Sequence, residues 1–325
     1  MRIAIVGAGA IGTWIGAALA RAGHDVALLA RGTHLEALRR DGVRVLGAGG
    51  DDYVVHPLAT DDPQEVGAVD AVVLAVKAHD QRTAAPAVRA LLGPDASVVG
   101  AQNGMPWWYF HGLPGPYEGR HIESVDPRGA VSALLPPARA IGMVVYLGAR
   151  IVAPGVVETR PEAGLVIGEP SGAQTVRLQA VAGALADAGF PVRVTPDIRT
   201  EIWTKLMGNV SFNPISLLTR AGLGAMASDE GVRVVIARLM AEAVEVARAV
   251  GADPSMSIEE RLALTERLGD HRTSTLQDLE AGKRLELDAL TGAVVELADL
   301  AGVAAPALRT IHALVDLEAR TLGLR

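Results

Sequence analysis

Residues 2–12 read RIAIVGAGAIG: a short apolar strand, Arg2–Val6, running straight into a glycine-rich turn. A helix, Ala10–Ala22, follows without a gap. Each glycine answers a different physical need in a turn of this kind. Gly7 permits the tight reversal, Gly9 lets backbone approach a pyrophosphate, and Gly12 allows helix and strand to pack closely. The helix start adds unpaired N–H groups and a partial positive charge. Gly7, Ala8, Gly9, Ala10, Ile11 and Gly12 therefore read as a dinucleotide-binding turn. The bland alternative is a glycine-rich turn without a ligand. A second strand, Asp25–Leu29, ends in Leu28-Leu29-Ala30-Arg31-Gly32. The acid that would hold the ribose 2′-hydroxyl of NAD is absent there, and a guanidinium suits a 2′-phosphate. Arg31 thus favours NADP(H), against the alternative of a solvated surface arginine.

Outward from this turn the first half alternates strand and helix. Val69–Val76 is a nearly continuous apolar run, typical of a buried parallel strand. A helix over Gln81–Leu92 and a strand over Ser97–Ala101 follow. The pattern predicts an α/β fold with a doubly wound parallel sheet covered by helices. Met105–Arg139, rich in Gly, Pro and aromatics, interrupts it. Strands resume at Ile141–Leu147 and Gly155–Ile167, the latter expected as a hairpin around Pro161–Gly164. A helix (Leu178–Ala188) and a strand (Pro191–Thr195) close this part. Beyond about Arg199 only helical periodicity remains, over Arg199–Thr219, Glu230–Val250, Ile258–Leu268, Ser274–Ala281, Leu287–Ala301 and Pro306–Leu322. We expect two domains, a nucleotide-binding domain over 1–195 and an all-α domain over 196–325.

Composition narrows the function classes. Half of the 325 residues are hydrophobic and 21% are charged, enough for a large core and too apolar for global disorder. The formal net charge of −7, without a basic patch, speaks against nucleic acid as a partner. No cysteine is present, which excludes disulfides, thiolate nucleophiles and cysteine-based metal centres. The eight histidines show neither HxxxH nor HxH spacing, so no metal is expected. No GxSxG elbow appears. No apolar run reaches bilayer-spanning length and the N-terminus is no signal peptide, so a cytoplasmic protein without membrane contact is expected.

Residues 202–215 read IWTKLMGNVSFNPI, apolar on almost every side. Against that background Lys205, Asn209 and Asn213 recur at i, i+4 and i+8, along one helical face. Buried, they are costly unless paired or facing a polar ligand. They read either as a stripe lining a substrate site, with Lys205 as proton donor or anion clamp, or as buried polar groups satisfied by backbone. Downstream, Ser274, Gln277 and Asp278 share a helical face, and Glu286 follows. Ser274 reads as a carboxylate contact or a helix N-cap. Glu286 reads as a cofactor contact or a partner for Lys205, and the bland alternative is a solvated charged helix.

Taken in order, Gly7–Gly12, Ala30-Arg31-Gly32, Val76-Lys77, Gln102-Asn103-Gly104, Lys205 with Asn209 and Asn213, and Ser274 through Glu286 resemble the ketopantoate reductases (2-dehydropantoate 2-reductases). These are NADPH-dependent enzymes of the pantothenate pathway, and the resemblance covers nearly the whole chain. It implies a Rossmann-type domain plus a helical domain of the 6-phosphogluconate dehydrogenase C-terminal type, with the site in the cleft between them. It implies that Lys205 is the catalytic lysine and that Asn209, Asn213 and Ser274 hold substrate. It further implies that Arg31 clamps the 2′-phosphate and that Lys77, Asn103 and Glu286 line the cofactor or the pocket, Glu286 reaching both cofactor and lysine. A homodimer through the helical domain is a family-level expectation. Two departures stand out. Leu223 replaces a further substrate-facing Asn, and Trp107-Trp108-Tyr109-Phe110 opens an unusually long segment. That aromatic run is expected to wall the pocket, cover a partner surface or pack locally.

The expected reaction is reduction of a 2-oxo acid to a 2-hydroxy acid, with Lys205 protonating the developing alkoxide and Glu286 keeping the lysine charged. Alternatives are reduction of a different carbonyl or imine and, outside enzymes, a non-catalytic NADP(H)-sensing protein.

Overall fold

The structure, a computed structural model, describes residues 1–160, 164–269 and 271–325. They form two compact units. One comprises Met1–Gln102, Pro106–Gly112 and Arg128–Ile198; the other comprises Asn103–Met105, Leu113–Pro127 and Arg199–Arg325.

The strands of the first unit are β1 (Arg2–Val6), β2 (Asp25–Leu29), β3 (Val43–Leu46), β4 (Tyr53–Val55), β5 (Leu58–Thr60), β6 (Val69–Leu74), β7 (Leu92–Gly100), β8 (Ala140–Val145), β9 (Ala149–Ala153), β10 (Val156–Thr159), β11 (Leu165–Gly168) and β12 (Val192–Val194). Eight of them form a sheet in the order β12-β11-β8-β7-β6-β1-β2-β5. It is parallel except where β11 meets β8. From β5 to β8, the chain order of this sheet's strands is 3-2-1-4-5-6, the doubly wound arrangement. The winding reverses between β1 and β6, and ligands of such sheets bind beyond the carboxyl ends of strands at that point. Helices α1 (Ala10–Arg21), α2 (Gly32–Asp41), α3 (Pro63–Val66), α4 (Gln81–Leu91), α5 (Ala130–Leu134) and α6 (Val176–Asp187) complete the unit. Its core interleaves Ile3 and Ile5 of β1, Leu28 of β2 and Val73 of β6 with Ile15 and Leu19 of α1, all buried. Each such side chain contributes about 1.5–3 kcal/mol on burial.

The expected hairpin over Gly155–Ile167 does not form. β10 pairs antiparallel with β9 across Pro154-Gly155, in a separate four-stranded sheet ordered β4-β3-β10-β9, whereas β11 joins the large sheet. Residues 161–163 of the expected turn lie outside the described residues. β10 (VVET) is half polar and partly exposed, whereas β11 (LVIG) is apolar and buried throughout, and the short segment between them reads as a turn whichever sheet each strand joins.

The aromatic run is core, not surface. Trp107, Trp108, Tyr109 and Phe110 are each 3% exposed or less. Tyr109 and Phe110 meet edge to face at 5.1 Å, and Trp107 Nε1 donates to the Leu135 carbonyl at 3.1 Å. The indoles lie against a row of glycines. Gly100 of β7 is the register partner of Gly142 of β8, which partners Gly168 of β11. A Cβ on Gly142 would sit 2.7 Å from Trp108 Cζ2, and one on Gly100 would sit 3.4 Å from Trp107 Cζ3. Of the roles expected for the run, local packing holds and a partner surface does not.

The second unit contains only helices among its described residues: α7 (Ile198–Thr219, whose first residue belongs to the first unit), α8 (Leu223–Ser228), α9 (Glu230–Ala249), α10 (Ile258–Glu266), α11 (Ser274–Glu280), a π-type turn over Asp288–Gly292, α12 (Ala293–Ala301) and α13 (Pro306–Thr321). Local signals start them. Asp229 caps α9, Thr273 caps α11, and Ser257 with Glu260 forms a reciprocal capping box on α10. The start of α13 is held from a distance: buried Glu242 of α9 accepts from the N–H groups of Ala307 and Leu308 at 3.2 and 2.9 Å. No helix among the described residues is long and apolar enough to cross a membrane.

Candidate active site

In the first unit the candidate residues gather at the winding reversal. The turn is stitched to the end of β2, the N–H groups of Gly7 and Ala8 donating to the Leu29 carbonyl at 3.4 and 3.3 Å. Gly7 has φ +105°, and a Cβ there would lie 2.6 Å from Val76 N and 2.7 Å from Ala75 C. A Cβ on Gly12 would overlap the Gly7 carbonyl at 2.1 Å. Gly9 differs: a Cβ there meets nothing within 4 Å. Two glycines thus serve packing, and the third leaves open space at the start of α1. Gly9 is the N-cap of that helix, no side chain caps it, and the first turn carries no acid. This backbone fits a pyrophosphate. Arg31, immediately beyond β2, is the N-cap of α2 and is exposed, and among the described residues no carboxylate pairs with it. A 2′-phosphate suits that guanidinium. Lys77, half-buried, opens a 3₁₀ turn (Ala78–Asp80) just after β6. The segment leading into it lies against Gly7.

The second unit holds the other candidates. On α7, Lys205 Nζ donates to Asn103 Oδ1 at 2.7 Å. Asn103 is fixed by the residues beside it. Gly104 has φ +88°, a Cβ on it would meet the Ala289 carbonyl at 2.3 Å, and Met105 N donates to that same oxygen at 2.8 Å. Ala289 belongs to the π-type turn that follows Glu286. Leu285 and Leu287 enter a cluster with Leu217, Val315 and Ala319, and Glu286 stands between them, 7% exposed. Asn209 and Asn213 continue the Lys205 face, and Asn213 is 6% exposed. The N-terminus of α11 is tied to α7 just beyond this stripe, Thr273 Oγ1 donating to Ser216 Oγ at 3.1 Å. Ser274 is therefore not the cap, because Thr273 has that role; it is the exposed first residue of α11.

The electrostatics centre on Lys205. Burial and the neighbouring Arg261 guanidinium push its pKa down to about 8, against a smaller upward pull from Glu286. The ammonium is thereby charged at neutral pH yet ready to release its proton, the condition for a general acid. Asn103 makes the short hydrogen bond described above, and the Glu286 charge acts on the lysine as well.

Asn103, Lys205, Asn209, Asn213 and Glu286 thus sit in one unit with Ser274, and Gly7–Gly12, Arg31 and Lys77 in the other. Sequence reasoning missed Arg261. It lies on α10, away from every motif, and the signal was a glycine: Gly208 falls between Lys205 and Asn209 inside a long helix, where glycine costs about 1 kcal/mol relative to alanine. Leu223, the departure noted above, is partly buried at the start of α8, its N–H donating to the His271 carbonyl at 2.8 Å.

Residues 3–107 match the family described as "Ketopantoate reductase PanE/ApbA", and residues 197–319 match its C-terminal counterpart. A 2-dehydropantoate 2-reductase of Mesorhizobium japonicum is 43% identical over 316 residues, 97% of each chain. One from Halobacterium salinarum is 33% identical over 98% of this chain and 99% of its own. In three dimensions the chain is similar to a putative ketopantoate reductase from Ralstonia solanacearum, with a TM-score of 0.95, 38% identity and coverage of 100% and 99% of the two chains. The Gly7–Gly12 turn at the winding reversal, the helical second unit and these matches together place the chain in the ketopantoate reductase family, as an NAD(P)-dependent oxidoreductase acting on a small-molecule substrate.

Proposed function

We propose that the protein reduces 2-dehydropantoate, or a closely similar 2-oxo acid, to the 2-hydroxy acid, with NADPH as reductant and Lys205 as general acid. The observation that carries this reading is the Lys205 ammonium, seated against Asn103 with a pKa near 8. The glycine turn Gly7–Gly12 holds the pyrophosphate on the start of α1, and Arg31 takes the 2′-phosphate. When bound, the reduced nicotinamide supplies hydride to the carbonyl carbon. Negative charge then develops on the carbonyl oxygen, and the Lys205 ammonium stabilises it and delivers a proton. Asn103 orients that ammonium through its side-chain oxygen. Glu286 favours its charged form through an opposite charge. Lys77 adds polar lining on the cofactor side. Asn209, Asn213 and Ser274 donate hydrogen bonds to the substrate's hydroxyl and carboxylate oxygens. Support comes from the family membership and from the names of the relatives.

The test is NADPH oxidation by the purified protein with a panel of 2-oxo acids that includes 2-dehydropantoate. Rapid turnover of that acid, lost in Lys205→Ala, is the expected result. Turnover of none of them, with tight NADPH binding retained, would overturn the reading in favour of a cofactor-sensing role.

A further inference from the structure

We propose that Arg261 is a specificity-determining residue, whose guanidinium, lodged in the gap left by Gly208 beside Lys205, selects a carboxylate-bearing substrate. This deepens the function proposed above and rests on it.

Three observations converge. A Cβ on Gly208 would lie 2.4 Å from Arg261 Nη2, 2.6 Å from Nε and 2.7 Å from Cζ. The guanidinium therefore lies flat on α7, in space that any residue other than glycine would occupy. Gly208 is three positions from Lys205, on the neighbouring turn, so the guanidinium lies beside the lysine at the edge of the polar face. Second, Arg261 lies near enough to Lys205 to push the lysine's pKa down. Two cations near each other, partly out of water, repel, and Glu286 offsets that repulsion at Lys205 only in part, so a further anion beside them is favourable. Third, the face continues in Asn209 and Asn213, and neither amide hydrogen-bonds to another described residue. One cation and two amides on one helical face, with a second cation at its edge, suit an anion with additional oxygens. A 2-oxo acid has that form, with the carboxylate one bond from the carbonyl that Lys205 protonates. The planar fork of a guanidinium matches a carboxylate with two parallel hydrogen bonds, which an ammonium cannot do.

The experiment compares 2-dehydropantoate with its neutral lactone in the unsubstituted protein, Arg261→Gln, Arg261→Lys and Gly208→Ala. Both turnover and calorimetric binding of the acid are measured. Arg261→Gln is expected to raise KM for the acid about ten- to a hundredfold, the range for a charge-assisted hydrogen-bond partner, while KM for the lactone changes less than threefold. Arg261→Lys restores part of the discrimination. Gly208→Ala removes no polar group and displaces only the Arg261 guanidinium. It is expected to reproduce the selective loss with an unchanged melting temperature, and so serves if Arg261→Gln does not fold. Equal losses for acid and lactone, or no loss for either, overturn the proposal. If the unsubstituted protein turns over no 2-oxo acid, the function proposed above fails and calorimetry alone decides. Acid binding that depends on Arg261 upholds the carboxylate site, and acid binding that is independent of it, or absent, overturns it.

Discussion

The glycine-rich turn and the polar face of α7, the two places proposed above to hold ligands, are built by opposite means. The turn works by leaving things out. Its ligand-facing features are backbone N–H groups and the space beside Gly9, and all of it lies within six consecutive residues. The α7 face works by bringing side chains in. Asn103, Lys205, Arg261 and Glu286 come from four separate stretches and meet only after the helices have packed. A site made of backbone is written locally and tolerates no change of backbone. A site made of side chains is written non-locally, and its chemistry can be tuned one residue at a time.

Several experiments would break or sharpen that contrast. The largest effect is expected from Lys205→Ala, with kcat falling about 100- to 10,000-fold while NADPH affinity, measured by fluorescence titration, stays within twofold. A comparable loss of NADPH affinity would show that the two sites are not separable. Within the turn, Gly7→Ala is expected to cost about 2–4 kcal/mol of stability in denaturant melts, because its Cβ meets backbone at a positive φ. Gly9→Ala is expected to leave the melt unchanged and weaken NADPH alone. If both variants melt alike, the division of labour between those glycines is wrong. Arg31→Ala should weaken NADPH about tenfold or more and leave NADH unaffected.

The smallest effects concern pH. The proposed mechanism requires charged Lys205, so turnover should fall above pH about 8. Glu286→Gln removes the charge that holds the lysine's pKa up and should move this limb to lower pH. Arg261→Gln removes the charge that pushes it down and should move the limb to higher pH. Stability follows the same titration with a definite sign. An unfolded lysine keeps its proton up to about 10.5, whereas folded Lys205 loses it near 8. Between those values the unfolded state binds more protons, and the lysine's contribution to stability rises with pH.

The same contrast explains how far the sequence could be read. The large sheet was legible because β1, α1 and β2 carry a motif whose every position has a local cause, and because the buried strands read as apolar runs. The small sheet was not. Its strands, such as Tyr53–Val55, are short and half-exposed, and β10 and β11, close in sequence, pair with partners in different sheets. The Lys205, Asn209 and Asn213 stripe was legible from helical spacing and an apolar background. Arg261 was not, because nothing near it in sequence marks it, and only the missing Cβ of Gly208 betrays it. The seating of Asn103 against the lysine was likewise hidden, because the residues beside it are held by the tie between Met105 and Ala289, a contact across 184 positions.

The row of glycines beneath the two indoles carries an evolutionary consequence. Gly142 cannot acquire a side chain while Trp108 remains, and a smaller residue at 108 would leave a void over Gly142. A Cβ on Gly142 would also lie 2.6 Å from Ile198 Cγ1, so three positions should covary among related chains: those with tryptophan at 108 or isoleucine at 198 keep glycine at 142, and those with smaller residues at both are released to carry alanine or larger. Grafting the aromatic segment onto a shorter-looped relative would then succeed only together with the strand residue that makes room for it.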